Sequence, residues 1–276
     1  MDWEERARPW IEAETELEEL HKNVGIELIQ RAPFEPGMNI LDIGCGSGSC
    51  SIAAANAVGP TGHVTAVDIA PPLARRTSQR TASLQQVEVK TGDAQTLDLG
   101  SGTIDLAISQ FGVMFFADPK AAFSNINSAL RPSGRLLFAA WAGPMDNPWF
   151  SGSRKIAEVL LPDLPAAIPT APGPLSLANS ERTIAILHEA GFENVSVETV
   201  DLTLDPIGSA ADVSKLQFKI GQLAAWIDQS LQDGDDAAEL ALDCQAKLTK
   251  FYSTFETGNG VSIPAKVHFY SAFSRA

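Results

Sequence analysis

The chain has 276 residues, 45% of them hydrophobic and 20% charged, a composition of ordinary globular proteins with room for one large domain. A formal net charge of −14 speaks against a nucleic-acid partner, because that affinity rests on Lys and Arg contacts to phosphate. No apolar run reaches the roughly 18 residues of a membrane span, and the acidic opening "MDWEERARPWIEAETELEEL" lacks the layout of a signal peptide.

In chain order, the segment up to Arg31 predicts one or two helices, and "MNILDIG" a buried strand. A small-residue helix then runs through Ala57. "GHVTAVDI" predicts a second strand and "PPLARRTSQRTASL" a helix opened by Pro71 and Pro72. "QVEVKTGD" and "TIDLAISQ" are the third and fourth strands. "DPKAAFSNINSAL" is a helix with Asp118 as N-cap and Pro119 at its first position, and "GRLLFAAW" is the fifth strand. Strands alternating with helices of this length mean βαβ units and a parallel sheet covered on both faces.

After Trp141 the rhythm changes. Leu161 to Leu177 carries Pro162, Pro165, Pro169, Pro172 and Pro174, and so predicts an irregular loop of the kind that forms lids or linkers. "SERTIAILHEAGF" then predicts a helix with Ser180 as cap and Gly191 at its end, followed by the strand "ENVSVETVDLTL". Asp212 to Ser230 and Asp235 to Phe255 read as two helices, and "VSIPAKVHFYSAFSR" as a closing strand. Cys45, Cys50 and Cys244 are an odd set without metal-ligand spacing; they predict no metal site and fit a reducing cytoplasm.

The chemistry concentrates in "NILDIGCGSGSCSIAAA". Gly44, Gly46 and Gly48 sit in the turn after the first strand, where an open parallel sheet binds its ligands. Glycines there let a ligand approach the backbone, and Asp68 at the end of the second strand is placed to accept hydrogen bonds from a ribose. Ser49-Cys50 rather than Lys and then Ser/Thr follows the last Gly, which disfavours a triphosphate loop. The third Gly comes one place early for a dinucleotide fingerprint. Asp42, two residues before the first Gly, would lie close to a pyrophosphate and suits a cationic ligand better. S-adenosylmethionine, with a sulfonium and an ammonium group and no phosphate, meets that requirement.

The ordered segments "ILDIGCGSGSCS", "VTAVDIA", "TGDAQTL", "IDLAISQFGVMFF" and "LRPSGRLLFAAW" resemble the successive motifs of class I S-adenosylmethionine-dependent methyltransferases. The likeness is to the bacterial small-molecule group related to ubiquinone and menaquinone biosynthesis. It implies a doubly wound, mostly parallel seven-stranded sheet with an antiparallel last strand and extra lid helices. The organisation it implies is an N-terminal helical lid at 1–35 and a cofactor-binding core at 36–142. A Pro-rich substrate loop at 143–178, a core helix and strand at 179–205, a helical insertion at 206–257 and a final strand at 258–276 complete it.

By that resemblance Asp42, Gly44, Gly46 and Gly48, with Cys45 in the same turn, line the methionine side of the cofactor. Asp68 holds the ribose, Ile69 covers the adenine, and Gly92, Asp93 and Ala94 meet the adenine edge. Ser109 and Gln110 border the sulfonium. Trp10, Phe111, Phe115, Trp141, Asn147 and Trp149 are the candidate acceptor contacts, with helix docking or core packing as the alternative for each. His21, His63, His188 and His268 lie in four unrelated segments, so no base is assigned and the catalytic residues stay unnamed. The expected activity is methyl transfer to O, N or C of a small aromatic or apolar acceptor. The alternatives are a catalytically silent cofactor sensor and a nicotinamide oxidoreductase.

Overall fold

The computed structural model describes residues 3–161, 164, 166–221, 223, 226 and 235–275. Helices α1 (Trp3–Glu12) and α2 (Glu14–Arg31) precede β1 (Asn39–Ile43), α3 (Ser49–Val58), β2 (His63–Asp68), α4 (Pro71–Arg80), β3 (Val87–Thr91) and β4 (Ile104–Gln110). A 3-10 turn at Gly112–Phe115 leads to α5 (Pro119–Ala129) and β5 (Leu130–Trp141). Then follow α6 (Pro148–Leu160), α7 (Ser180–Glu189), β6 (Glu193–Leu204), α8 (Ala210–Ile220) and α9 (Asp235–Ser253). A two-residue hairpin, β7 (Glu256–Thr257) and β8 (Gly260–Val261), precedes the last strand, β9 (Ile263–Phe273).

Seven strands form one sheet in the order β3-β2-β1-β4-β5-β9-β6. β9 runs antiparallel to both of its neighbours, and the other strands are mutually parallel. The near-continuous apolar runs of β1, β2 and β4 follow from burial on both faces. One core cluster extends beyond the sheet into α2, α6, α8 and α9. Strand order reverses between β1 and β4, so their carboxyl ends open the crevice where such sheets bind ligands.

Several boundaries differ from those expected. The helix after the Pro-rich segment is capped by Asn179, whose Oδ1 accepts the Arg182 N–H at 2.9 Å, and Ser180 is its first residue. Gly191 ends that helix with φ +89°, as predicted. The helix from Pro71 stops at Arg80, where the Thr81 hydroxyl turns back onto the Thr77 carbonyl at 2.8 Å. α8 begins at Ala210 rather than Asp212, because Ser209 and Asp212 close a capping box around its first turn. α8 ends at Ile220, and much of the predicted continuation to Ser230 lies outside the described residues, as do Pro162 and Pro165 of the irregular loop. β5 starts four residues early, at Leu130, and passes through Ser133 with φ +61°. Asp118 caps α5 as expected, accepting the Ala121 N–H at 3.0 Å.

Candidate functional site

The turn after β1 is held open by backbone geometry. Gly44, Gly46 and Gly48 have φ of +67°, +57° and +94°, the left-handed region that a side chain disfavours. At Gly44 a Cβ would also collide at 2.6 Å with the Cα of Gly112, so the turns after β1 and β4 press backbone on backbone. Ser109 fastens them: its hydroxyl donates to the Ile43 carbonyl at 2.7 Å and accepts the N–H groups of Gly112 and Val113. No atom lies within 4 Å of a Cβ built on Gly46, so that residue faces open space.

Two buried carboxylates flank the turn. Asp68 Oδ2 accepts the Gly46 N–H at 2.9 Å and Oδ1 accepts the Ala70 N–H at 2.8 Å. Asp42, one strand over, receives the Ser51 hydroxyl at 2.6 Å. Burial pushes Asp42 up to about 7, with the Asp68 charge adding to the rise and the Ser51 hydrogen bond opposing it. Burial pushes Asp68 up to about 6, moderated by its two backbone donors. Two acids whose ionisation burial opposes inside one crevice mark it as a candidate binding site, and a cation there would favour their charged form.

Both carboxylates open onto a cavity of about 2270 Å³. At the glycine end it is lined by Asp42, Gly44, Cys45, Gly46, Asp68, Ile69, Gly92, Asp93, Ala94 and Gln110, all expected from the sequence. Trp10, Phe111, Phe115, Trp141 and Trp149 line it as well. Gly48, Ser109 and Asn147 are not in the lining. Gly48 supplies the left-handed step into α3 and packs against Thr77, where a Cβ would come within 2.9 Å of the methyl group. Ser109 is the staple already described. Asn147 is fully buried: its amide donates to the carbonyls of Ala142, Gly143 and Lys266, and its Oδ1 accepts the Lys266 N–H at 2.9 Å. It ties the end of β5 to β9 and has nothing left for a ligand.

The thiols of Cys45 and Cys50 are pushed well up by burial beside the carboxylates. Neither is a nucleophile in that state. The Cys50 thiol donates to Gln110 Oε1 at 3.1 Å, and Gln110 Nε2 donates to the backbone carbonyl of His21 at 3.1 Å.

The walls come from distant segments. α1 brings Trp3 and Trp10 against Phe115, with ring centroids 5.1 and 6.2 Å from it. α2 brings His21 beside Phe111 and Trp141, at 5.3 and 5.9 Å. Phe111 and Trp141 stack at 4.3 Å and 12°, and Phe150 of α6 meets Trp141 edge-on at 5.2 Å. Phe111 holds φ +69°, a strained state for a bulky residue that turns the chain from β4 into the 3-10 turn. Residues 166–176 of the Pro-rich loop close another side, fixed by the Gly173 N–H and the Ser176 hydroxyl on the Met114 carbonyl.

Sequence reasoning missed Gly112 and Glu18, and it weighed His21 as a base without assigning it a role. Glu18 receives the hydroxyls of Ser47 and Ser49 and the Arg80 guanidinium, clasping α2 onto the glycine turn. Burial raises Glu18, but Arg80 and the two hydroxyls hold it net below its usual range. The available signal was spacing: His21 and Gly25 flank the buried stripe of Leu20, Val24 and Leu28. A Cβ on Gly25 would lie 3.1 Å from Gln110 Oε1.

Residues 40–134 match the family model of a methyltransferase domain. The matched stretch, from β1 to the start of β5, is thus similar to a methyltransferase domain. Nocamycin O-methyltransferase of Saccharothrix syringae is 31% identical over 156 residues, 54% of this chain and 55% of that protein. A demethylmenaquinone methyltransferase of Staphylococcus aureus is 31% identical over 119 residues, 43% of this chain and 49% of that protein. The chain thus spans about half the length of these curated relatives. Its methyltransferase fold is shared with a Haemonchus contortus phosphoethanolamine N-methyltransferase, solved with phosphomonomethylethanolamine and S-adenosylhomocysteine. That likeness has a TM-score of 0.55 and 18% identity, covering 92% of this chain and 53% of that one. Among the described residues no helix is long and apolar enough to cross a membrane, and no cluster of His, Cys, Asp and Glu could hold a metal ion.

Proposed function

We propose that this methyltransferase transfers a methyl group from S-adenosylmethionine to a small aromatic or apolar acceptor. The observation that carries the reading is the pair of buried, charge-starved carboxylates, Asp42 and Asp68, around a side-chain-free turn that opens onto the cavity. Asp42 beside the turn suits a cationic nucleoside better than a pyrophosphate, which disfavours a nicotinamide cofactor, whereas Asp68 would fit the ribose of either.

Asp42 and the Gly44–Gly46 backbone would hold the methionine end. Asp68, whose oxygens each retain a lone pair after taking one N–H, would accept the ribose hydroxyls. Ile69, Gly92, Asp93 and Ala94 would frame the adenine, and the exposed Ile69 side chain would gain an apolar partner. When bound, the cofactor supplies an electrophilic methyl group on a sulfonium. The protein's part is orientation, for which well-placed intramolecular reactions suggest up to roughly 7–11 kcal/mol, and exclusion of water from the acceptor. We assign the lid role to α1, α2 and the 166–176 loop, which line the cavity over the strand ends. Three unpaired, buried cysteines fit a protein working in a reducing compartment such as the cytoplasm.

Calorimetry with S-adenosylmethionine, S-adenosylhomocysteine and NAD tests the cofactor. Tight binding of the first two and none of the third is expected, and indifference to all three would end the proposal. Turnover with a panel of acceptors then separates an enzyme from a cofactor sensor.

A further inference from the structure

Among the described residues, the Lys and Arg side chains that line the cavity are Lys22, Arg154, Arg182 and Lys219. Lys22 pairs with Glu19 at 3.2 Å, Arg154 with Glu158 at 2.7 Å and Lys219 with Glu12 at 3.2 Å. Arg182 of α7 has no carboxylate partner among the described residues, in a chain with 34 acids to 20 Lys and Arg. Its part-buried guanidinium donates to the Ser176 carbonyl at 3.0 Å, and its other N–H groups have no protein acceptor among the described residues. That bond fixes its place. Ser176 hangs on the Met114 carbonyl in the turn after β4, so a single loop residue separates Arg182 from that turn. Asn179, also in the lining, spends its Oδ1 on the Arg182 N–H and keeps its NH2 group for a ligand. Both belong to the N-terminal turn of α7, whose partial positive charge has the same sign. The adjacent Glu181 is exposed and does not pair with Arg182, since helix neighbours one position apart do not face each other.

Resting on the methyltransferase reading, we propose that Arg182 and Asn179 form an anion subsite that holds the acceptor by a carboxylate group. A guanidinium fork matches a planar carboxylate with two parallel hydrogen bonds. One cation, in a cavity that also carries Asp42, Asp68 and Asp93, balances a monoanion; a phosphate dianion would stay half neutralised among those acids. Pairing with the guanidinium draws electron density from the carboxylate, so that group anchors the acceptor and another of its atoms takes the methyl. The acceptor is then an apolar body with one anionic end, and Arg182 selects it.

The test is calorimetric and needs no turnover. Protein saturated with S-adenosylhomocysteine is titrated with benzoate, 2-naphthoate and their uncharged amides, using wild type, Arg182→Gln and Arg182→Lys. Wild type should prefer a carboxylate to its amide by about 10- to 100-fold, the scale of a hydrogen bond to a charged group. Arg182→Gln should abolish the preference, and Arg182→Lys should retain part of it, because an ammonium keeps the charge without the fork. S-adenosylhomocysteine affinity should be unchanged in both. Equal affinities for acid and amide in wild type, a preference that survives Arg182→Gln, or no binding of any probe would overturn the assignment. So would a loss of S-adenosylhomocysteine affinity in Arg182→Gln, which would give the guanidinium to the cofactor's own carboxylate. Failure of wild type to bind S-adenosylhomocysteine would instead remove the methyltransferase reading. Should Arg182→Gln fold poorly by its thermal melt, Arg182→Lys decides alone, and a preference undiminished from wild type would overturn the assignment.

Discussion

The two ends of the cavity are built by different physics. At the glycine end, ligand-facing groups are backbone turns and short carboxylates carried on adjacent parallel strands, and hydrogen bonds such as Asp68 to Gly46 and Ala70 fix them. At the aromatic end, proposed to take the acceptor, the walls are large side chains from α1, α2, β5 and α6, held by ring contacts between segments far apart in sequence. A chain can specify the first end within a few residues, because a turn and its strand are contiguous. The second end exists only once the helices have docked.

The sharpest way to break this comparison is to strike the glycine end. Asp68→Asn should lower S-adenosylmethionine affinity by at least about 100-fold, since charge-assisted hydrogen bonds are among the strongest available. Its acceptor-end counterpart, Trp141→Ala, should leave that affinity within a few-fold. Calorimetry on both variants checks the contrast, and equal losses would mean the ends are not separable.

Next in size is the pH dependence. In the proposed complex Asp42, at about 7, must be ionised to attract the cationic methionine end, and Asp68, at about 6, to accept the ribose hydroxyls at full strength. Affinity should therefore fall as pH drops from 8 to 5, by up to about tenfold per unit for each carboxylate below its pKa. Binding at pH 6 should release protons, visible as a buffer-dependent heat.

A stability effect of opposite sense follows from the same residue. The Asp42 pKa is raised above the 3.8 of an unfolded chain, so it contributes stability fully present below that value and lost as pH rises through about 7. Asp42→Asn keeps an acceptor for Ser51 without the buried charge. It should raise the melting temperature of the unliganded protein at pH 8 by about 2–6 °C, with the gain vanishing near pH 4. It should also forfeit cofactor affinity. A variant that melts lower at pH 8 would show that the carboxylate is already well solvated.

The smallest effect belongs to the clasp between the ends. Glu18→Gln removes the charge that holds Arg80 and the turn hydroxyls, while α2 keeps its apolar face on the core. Cofactor affinity should fall only a few-fold, with faster proteolysis in residues 3–31. Unchanged cleavage would mean packing alone seats the lid.

Much of the fold was legible in the sequence, and the reasons are local. Runs such as those of β1 and β2 are too apolar for a half-exposed strand, and Asp118-Pro119 announces a helix start. Boundaries slipped where a neighbouring side chain took over, as Asn179 did at α7. At the site, Asn147 illustrates the limit. It stands in a polar, aromatic-rich loop that suggests a pocket wall, yet two carbonyls of the turn after β5 and one of β9 consume its amide. Ser109 likewise ends a strand aimed at the ligand and spends its hydroxyl on two turns.

The sequence by itself determined the alternating α/β order, the left-handed glycine turn and the strand-end acids, because each depends on neighbours within a few residues. Tertiary structure alone decided that Gly44 and Gly112 touch, that Glu18 grips the turn, and that His21 meets the edge of the Phe111–Trp141 stack. Those contacts join positions tens of residues apart, and no local pattern encodes a partner that only helix docking brings near.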